Sequence, residues 1–356
     1  MDTPPKRLSI IVPCYNVEKY VCTCLDSLYN QDISEDDYEV ICVNDCSQDR
    51  TRDIILHYQE LHSNLFLIDH ERNKRLGESR NTGLHNANGK YIWFIDSDDF
   101  IESNILNDIL NIIESHDLDI LNFDFNIYHA DGTINPQTIA GDTKITTGAE
   151  WLKNLEKNFD ENSSVCRKIY RKMLLLNNNV HFPDRIYEDE YINLVTIYKA
   201  KRFKYINKHI YYYRNNPNSI LNKPFKQVYF ISALESGADY LNFYHEIKNS
   251  DFAFAEKVKM SALWKINFGC KELPYYSMKL RKRMIKSLQP HLSVLQQTNY
   301  FKGFIQQYFQ HFHFYNEFFF VFSPLLRSAR HIKRYIKLIR KRLLKYNITL
   351  LFMHHD

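Results

Sequence analysis

The first hundred residues alternate between short apolar runs and helical patterns, and this alternation constrains the fold more than any other feature. Runs that predict strands begin near Leu8, Tyr38, Leu65 and Lys90. Between them, apolar residues recur at spacings of three and four, which is typical of helices that bury one face. Strands that alternate with helices favour an α/β fold with an open, mainly parallel sheet and helices on both faces.

The alternation weakens beyond about residue 116. The segment from Arg202 to Arg214 is typical of two short strands around a turn near Asn207 and Lys208. In the remaining chain, helical patterns replace the strand runs. We therefore predict a sheet domain over residues 1–222 and a mainly helical C-terminal region over residues 223–356.

Glycine is scarce, with nine residues in 356, and its positions exclude two common phosphate-binding loops. No glycines are spaced as the dinucleotide fingerprint G-x-G-x-x-G or the P-loop G-x-x-x-x-G-K-[ST] requires. The seven cysteines lack the C-x-x-C pairs of a zinc site and favour reduced thiols in the cytosol. The N-terminus lacks the apolar core of a signal peptide, and no apolar run has the length of a membrane span. We therefore expect a cytoplasmic protein.

The C-terminal end carries a concentrated positive charge. Between Arg327 and Lys345 there are nine Lys or Arg and no Asp or Glu, so the rest of the chain is net acidic. Within this basic segment an apolar stripe repeats at spacings of three and four, which predicts a basic amphipathic helix. Such a helix is attracted to an anionic membrane surface, and we favour this role at the inner face of the membrane. The alternative is a helix packed on the protein's own body, and nucleic acid ranks below both as a partner.

Carboxylates follow two of the predicted strands, at the end where open α/β sheets bind their ligands. Asp45 follows the second strand, and Asp96 and Asp98 follow the fourth. In an extended run, positions 96 and 98 point the same way, and a divalent cation relieves the repulsion between such paired carboxylates. The alternative is a solvated acidic turn. The apolar residues Phe100 and Ile101 argue against it, because a surface turn would stay polar.

These residues belong to an ordered set of motifs that resembles the family 2 glycosyltransferases with the Rossmann-like GT-A fold. The resemblance covers about residues 8 to 220. Its motifs are Ser9–Asn16, Val43–Asp49, Leu76–Gly83, Asp96–Asp99, Cys166–Arg171, Phe182–Pro183, Ile186–Glu190, Tyr211–Arg214 and Ser219–Ile220.

The resemblance implies a role for each matching residue. It implies contacts with a nucleotide-sugar donor for Pro13, Tyr15, Asp45, Arg80, Asp96 and Arg214. Asp98, with Asp96 near the metal or the ribose, would hold Mg²⁺ or Mn²⁺, and Asp45 would accept a hydrogen bond from the base, typically uracil. Asp189 would be the catalytic base that deprotonates the acceptor hydroxyl. Without the resemblance, the acidic residues around Asp189 are typical of the first turn of a helix, where the positive end of the helix dipole favours negative charge.

The function that the resemblance implies is an inverting, metal-dependent transfer of a hexosyl or N-acetylhexosaminyl group. The donor would be a UDP-sugar, and the acceptor a glycan or lipid-linked glycan in the synthesis of a bacterial cell-surface polysaccharide. One alternative is a sugar nucleotidyltransferase, although the glycine-rich loop that such enzymes place after the first strand is absent. The other alternative is a non-catalytic adaptor that binds nucleotide at the membrane.

Overall fold

The computed structural model describes residues 6–139, 141–155, 164–215, 227–270 and 288–291. The chain divides into two units, Met1–Pro224 and Phe225–Asp356, which we call the sheet unit and the helical unit. The strands of the sheet unit are β1 (Leu8–Cys14), β2 (Tyr38–Asn44), β3 (Leu65–Asp69), β4 (Tyr91–Phe94), β5 (Phe100–Ile101), β6 (Ile120–Tyr128), β7 (Ile134–Gln137), β8 (Lys168–Arg171) and β9 (Phe203–Arg214). Its helices are α1 (Val21–Tyr29), α2 (Thr51–Leu61), α3 (Arg75–Asn86), α4 (Leu106–Ser115), α5 (Gly148–Asn154), α6 (Lys172–Asn177) and α7 (Glu188–Lys199).

The strands follow the order β3-β2-β1-β4-β8-β6-β9-β5, and β7 pairs with β6 beside this path. The first four strands are parallel, and every residue of β1, β2 and β4 is buried. Continuous burial of this kind requires cover on both faces of the sheet. The predicted α/β fold is therefore confirmed. Beyond β4 the sheet is mixed, because β8 runs antiparallel to both β4 and β6.

The strand order reverses at β1, which pairs with β2 on one side and β4 on the other. In open α/β sheets the crevice at such a reversal, beyond the carboxyl ends of the strands, is where ligands bind. β6 and β9 are also parallel to each other, and the start of the antiparallel β8 lies beside the end of β4. One edge of the sheet therefore collects the chain segments that follow β1, β2, β4 and β9.

The predicted turn near Asn207 and Lys208 is wrong. β9 is one continuous strand, and its register on β6 shifts on either side of Asp124. The extra residues form a bulge, which bends a strand without ending it. Lys208 forms an ion pair with Asp108 of α4, so the polar pair in the sequence marks a contact across the surface.

The helical unit contains two long helices, α8 (Gln227–Ile247) and α9 (Phe252–Cys270). Buried aliphatic side chains, among them Leu234 and Leu241 of α8 and Ile266 of α9, form the apolar interior of this unit. Among the described helices, none combines the length and the apolarity needed to cross a membrane. The predicted basic helix between Arg327 and Lys345 lies outside the described residues.

Close backbone packing at Gly89 gives a test of the sheet. A Cβ atom at Gly89 would lie 2.4 Å from the Ser9 nitrogen and 2.6 Å from the Leu8 carbonyl carbon. Because neither main-chain atom can move without distorting β1, we expect Gly89→Ala to lower the free energy of unfolding by about 3 kcal/mol. His85→Ala, at an exposed position of α3, is the control and should change it by less than about 0.5 kcal/mol. Equal stability of the two variants in urea denaturation would contradict this packing.

Candidate active site

The loop that follows β4 is held by its last carboxylate. Asp99 is buried, accepts a hydrogen bond from the Tyr211 hydroxyl at 2.5 Å and accepts another from the Arg214 backbone N–H at 2.7 Å. Burial and the neighbouring Asp98 and Asp96 raise the pKa of the Asp99 carboxyl well above its usual value. Asp99 therefore ties the loop to β9, while Asp96 and Asp98 remain half-buried at the sheet edge.

Arg214, the last residue of β9, lies against the same loop. Its Nε atom donates a hydrogen bond of 2.8 Å to the Asp98 carbonyl oxygen. Its guanidinium lies 5.2 to 5.4 Å from the ring centres of Tyr20, Phe100 and Tyr128. In the described part of the chain, no group accepts a hydrogen bond from its two terminal nitrogens. Arg214 is therefore held in place by aromatic rings and by the Asp98 carbonyl oxygen.

Arg80 of α3 joins the loop after β4 to the start of α7. The side chain is 2% exposed, and Nη2 donates a hydrogen bond of 2.8 Å to Asp96 Oδ1. Nη1 forms a second ion pair, with Glu188 Oε1. Burial disfavours the charged guanidinium, but Asp96 and Glu188 outweigh burial and raise the pKa of Arg80. Both terminal nitrogens of Arg80 are therefore engaged by carboxylates of the protein.

Asp189 lies in the first turn of α7, beside this ion pair. Its Oδ2 atom accepts a hydrogen bond of 3.3 Å from the Val165 backbone N–H. Burial raises the pKa of the Asp189 carboxyl, Arg80 opposes this shift, and Asp96 adds to it. Burial likewise raises the pKa of Glu188 to about 7, although Arg80 opposes that shift. The site thus contains a carboxyl group with increased basicity, held close to the loop after β4.

A short 3₁₀ turn, Val165–Arg167, holds the backbone N–H that contacts Asp189. The Trp93 indole N–H of β4 donates a hydrogen bond of 2.7 Å to the Cys166 carbonyl oxygen. The buried Lys168 donates through Nζ to the Ser164 carbonyl oxygen at 2.9 Å. The turn is therefore anchored to the centre of the sheet on both sides, which keeps Asp189 in place.

Asp45, which follows β2, is surrounded by donors. Its Oδ1 atom accepts from the Lys74 backbone N–H at 2.7 Å and lies 2.7 Å from His70 Nδ1, and Oδ2 accepts from the Arg75 backbone N–H at 2.7 Å. An ionised carboxylate offers about four acceptor positions, so Oδ2 keeps one for a further donor. His70 Nε2 in turn lies 2.9 Å from the Thr82 hydroxyl. The Asp45 side chain, which is 4% exposed, therefore orders the start of α3.

The two remaining candidates lie at the end of β1. Pro13 is buried within the strand, opposite Val43 of β2. Tyr15 follows the strand and is 48% exposed. The Asp45 backbone N–H donates to the Cys14 carbonyl oxygen at 2.8 Å, which joins the ends of β1 and β2. Tyr15 and Asp45 are thus carried by adjoining strand ends.

Several residues of this site were not predicted as site residues. Glu188 was visible as part of an acidic triplet, but nothing in the sequence indicated that it pairs with Arg80. Tyr211 belongs to the motif Tyr211–Arg214, but neither it nor His70 was predicted to contact its partner, Asp99 or Asp45, because these partners lie far away in the chain.

The acidic loop offers the half-buried carboxylates of Asp96 and Asp98 to a metal ion. Within the described ranges, no three His, Cys, Asp or Glu side chains converge to hold a metal by themselves. Mg²⁺ is commonly bound by one or two carboxylates together with substrate phosphates. Burial is the main cause of the raised pKa of Asp99, and the negative charges of Asp98 and Asp96 beside it add to the shift. The pair therefore fits a divalent cation whose coordination a diphosphate would complete.

An open α/β sheet with acids and arginines gathered beyond its strand ends is typical of α/β proteins that bind a ligand at this position. The sequence model of Glycosyl transferase family 2 matches residues 9–175. Residues 9–175 therefore match this family, as the motifs indicated.

Two relatives illustrate the match. The chain is 35% identical over 225 residues to the uncharacterized glycosyltransferase EpsJ of Bacillus subtilis, covering 62% of this chain and 64% of EpsJ. It is 33% identical over 210 residues to the poly(ribitol-phosphate) beta-N-acetylglucosaminyltransferase TarS of Staphylococcus aureus. That match covers 58% of this chain and 35% of TarS, so the chain spans only part of these relatives' lengths.

The fold is also similar to a solved structure. The crystal structure of S. aureus TarS 1-349 in complex with UDP-GlcNAc has a TM-score of 0.62 and 26% identity to this chain. The match covers 82% of this chain and 81% of the TarS chain. The expected GT-A fold is therefore confirmed.

The buried Arg80 gives a prediction about stability. Arg80→Leu would leave Glu188 buried without its cation, so we expect the free energy of unfolding to fall by about 3–5 kcal/mol. The matched control is Arg52→Leu, which breaks an exposed ion pair with Asp69 and should cost less than about 1 kcal/mol. Thermal or urea unfolding measures the stability of both variants. A loss of stability in Arg80→Leu no larger than that in Arg52→Leu would contradict the buried ion pairs of Arg80.

Proposed function

We propose that the chain is an inverting, metal-dependent glycosyltransferase that transfers a sugar from a UDP-sugar to a hydroxyl group of a glycan acceptor. The proposal rests mainly on the two ion pairs of the buried Arg80 side chain. One guanidinium holds Asp96, in the acidic loop after β4, and Glu188, the neighbour of Asp189. Arg80 thereby holds the groups suited to bind a leaving diphosphate close to the group suited to deprotonate an acceptor.

The donor would lie along the sheet edge from Asp45 to Arg214. The free acceptor position on Asp45 Oδ2 suits an N–H of the base, and Tyr15 on the adjoining strand end offers an exposed ring beside it. Asp96 and Asp98 would hold Mg²⁺ or Mn²⁺, and the metal, when bound, supplies Lewis-acid stabilisation of the departing diphosphate. The terminal nitrogens of Arg214 suit a phosphate oxygen, because a guanidinium binds phosphate through paired donors.

The roles expected of the two arginines differ. Arg80 has both terminal nitrogens on protein carboxylates, so its part in donor binding is to fix the orientation of Asp96. Arg214 has no described hydrogen-bond acceptor at its terminal nitrogens. Direct contact with the diphosphate is therefore assigned to Arg214 and not to Arg80.

Asp189 would act as the general base. Its raised pKa makes the carboxylate a stronger base than an exposed aspartate. It would take the proton of the acceptor hydroxyl as that oxygen attacks the anomeric carbon from the side opposite the diphosphate. A single displacement of this kind inverts the configuration at that carbon.

The relatives support a hexosyl or N-acetylhexosaminyl donor and a cell-surface acceptor. The name of TarS specifies N-acetylglucosaminyl transfer to poly(ribitol phosphate), and a relative from Bacillus spizizenii, 30% identical, is named a poly(ribitol-phosphate) beta-glucosyltransferase. We assign this chain to the synthesis of a bacterial surface polysaccharide on that basis. A lipid-linked acceptor would accord with the basic segment between Arg327 and Lys345, which suits an anionic membrane surface.

Replacing the base tests the reaction. Asp189→Asn keeps the size of the side chain but removes its basicity, so we expect kcat for transfer to fall about 10²- to 10⁴-fold with little change in KM for the donor. The control is Asp184→Asn, at a residue that is exposed and pairs with Arg75 on the surface. Transfer from UDP-GlcNAc and UDP-glucose with Mn²⁺ is the assay. Wild-type activity in Asp189→Asn would overturn the assignment of the base.

The pH profile provides a second test of the base. Asp189 acts only when ionised, and its pKa is raised, so the rate should fall on acidification at a pH above the usual aspartate range. The acid limb of kcat/KM between pH 4 and 8 measures this. A flat profile down to pH 4 would contradict the proposed role.

Two further outcomes separate the alternative functions. A sugar nucleotidyltransferase would release pyrophosphate from UTP and a sugar phosphate, whereas the proposed enzyme releases UDP. A nucleotide-binding adaptor would bind UDP but yield no product from any donor.

The membrane contact is tested with vesicles. Replacing Lys333, Lys337 and Lys341 by Gln removes three charges, each worth about 1 kcal/mol near an anionic surface. We expect the wild type to sediment with vesicles containing phosphatidylglycerol and the triple variant to bind them far more weakly. Equal binding to purely phosphatidylcholine vesicles would contradict the proposal.

A further inference from the structure

An open groove of about 700 Å³ runs along β5, the edge strand of the sheet. Its lining residues come from the end of α1, from β5 and the residues after it, from β9 and from the β6–β7 hairpin. The lining residues are Asp26, Ser27, Tyr29, Asn30, Phe100, Ile101, Glu102, Ser103, Tyr128, Ile134 and Tyr212. None of these is assigned a contact with the donor above, although Phe100 and Tyr128 pack against the Arg214 guanidinium.

The groove combines aromatic rings with hydrogen-bonding groups at its rim. Phe100 and Tyr212 stack with ring centres 4.6 Å apart, and Tyr128 meets Phe100 edge-on at 5.2 Å. Ile134 extends the apolar surface and is 46% exposed. Pyranose rings present C–H groups on their faces and hydroxyls at their edges. A cleft with rigid apolar walls and a few polar groups suits such a ligand.

Glu102 supplies the polar anchor of the groove. Its Oε2 atom accepts a hydrogen bond of 2.5 Å from the Tyr212 hydroxyl, and Oε1 accepts one of 3.3 Å from the Ser103 backbone N–H. These bonds fix the carboxylate and leave it able to accept further hydrogen bonds, because an ionised carboxylate has about four acceptor positions. Sugar hydroxyl groups are donors of the right kind.

The charge of the groove lining favours neutral acceptors over anionic ones. Asp26 and Glu102 are acidic, and none of the described lining residues is Lys or Arg. A polymer of phosphodiesters would be repelled by these carboxylates and would find no cation in the lining. A neutral or amine-bearing glycan carries no such penalty.

The groove is next to the acidic loop. β5 begins two residues after Asp98, and Phe100 packs against the Arg214 guanidinium that holds the Asp98 carbonyl oxygen. A chain lying in the groove would therefore extend towards the reaction centre. Binding energy from remote sugar units would then position the hydroxyl that reacts.

We propose that this groove binds the pyranose units of a neutral acceptor glycan remote from the hydroxyl that is glycosylated. The proposal rests on the proposed function for its biological meaning, but binding in the groove can be measured without transfer.

The test uses the full chain and three probes: chitohexaose, cellohexaose and poly(ribitol phosphate). By calorimetry without donor, we expect at least one neutral hexamer to bind at least tenfold more tightly than its monosaccharide and more tightly than poly(ribitol phosphate). Ile134→Ser and Tyr212→Leu should each weaken that binding at least fivefold. Phe66→Ser is the matched control, because Phe66 is 45% exposed but lies on β3 at the opposite edge of the sheet.

Hydrolysis of the UDP-sugar in the absence of acceptor separates this proposal from the proposed function. It should be unchanged in Ile134→Ser, with circular dichroism verifying the fold. The groove proposal would be overturned if Ile134→Ser and Tyr212→Leu left hexamer binding unchanged. It would also be overturned if the hexamers bound no better than monosaccharides, or if poly(ribitol phosphate) bound more tightly than the hexamers. If the protein binds hexamers in the groove but never turns over a donor, the groove proposal stands and the proposed glycosyltransferase activity is refuted.

Discussion

The buried guanidinium of Arg80 is the interaction on which the rest of the site depends. An arginine that is 2% exposed must be paired, because a buried charge without partners costs several kcal/mol. Its partners are Asp96 and Glu188, which come from the loop after β4 and from the first turn of α7. Pairing therefore forces two distant acidic segments to meet. The raised pKa values of Glu188 and Asp189 follow from the same burial.

The sheet topology explains why this meeting occurs at the carboxyl ends of the strands. The strand order reverses at β1, so the segments after β1, β2 and β4 share one edge. β9 ends at the same edge, where Asp99 accepts hydrogen bonds from Tyr211 and the Arg214 backbone. Asp45 occupies the neighbouring position and orders the start of α3, the helix that carries Arg80. The loop after β4 and the first turn of α7 thus supply the acids, and α3 supplies the arginine that joins them.

The fold and the acidic loop could be predicted from sequence because both depend on local patterns. Buried parallel strands read as apolar runs, and Asp96 and Asp98 directly follow one of them. The Arg80–Glu188 and Tyr211–Asp99 contacts could not be predicted in this way, since they join residues 108 and 112 positions apart. The bulge in β9 was mistaken for a turn because Asn207 and Lys208 are polar, and only the pairing with β6 shows that the strand continues. The family motif singled out Arg80, whereas its ion pairs with Asp96 and Glu188 are visible only in the structure.

We propose that the carboxylates gathered at this edge form a donor site that a divalent cation and a diphosphate complete. Titration of the full chain with UDP, with and without Mn²⁺, measures this directly. We expect Mn²⁺ to tighten UDP binding at least tenfold and Asp98→Asn to remove this gain. Equal UDP affinity with and without Mn²⁺ in the wild type would contradict it.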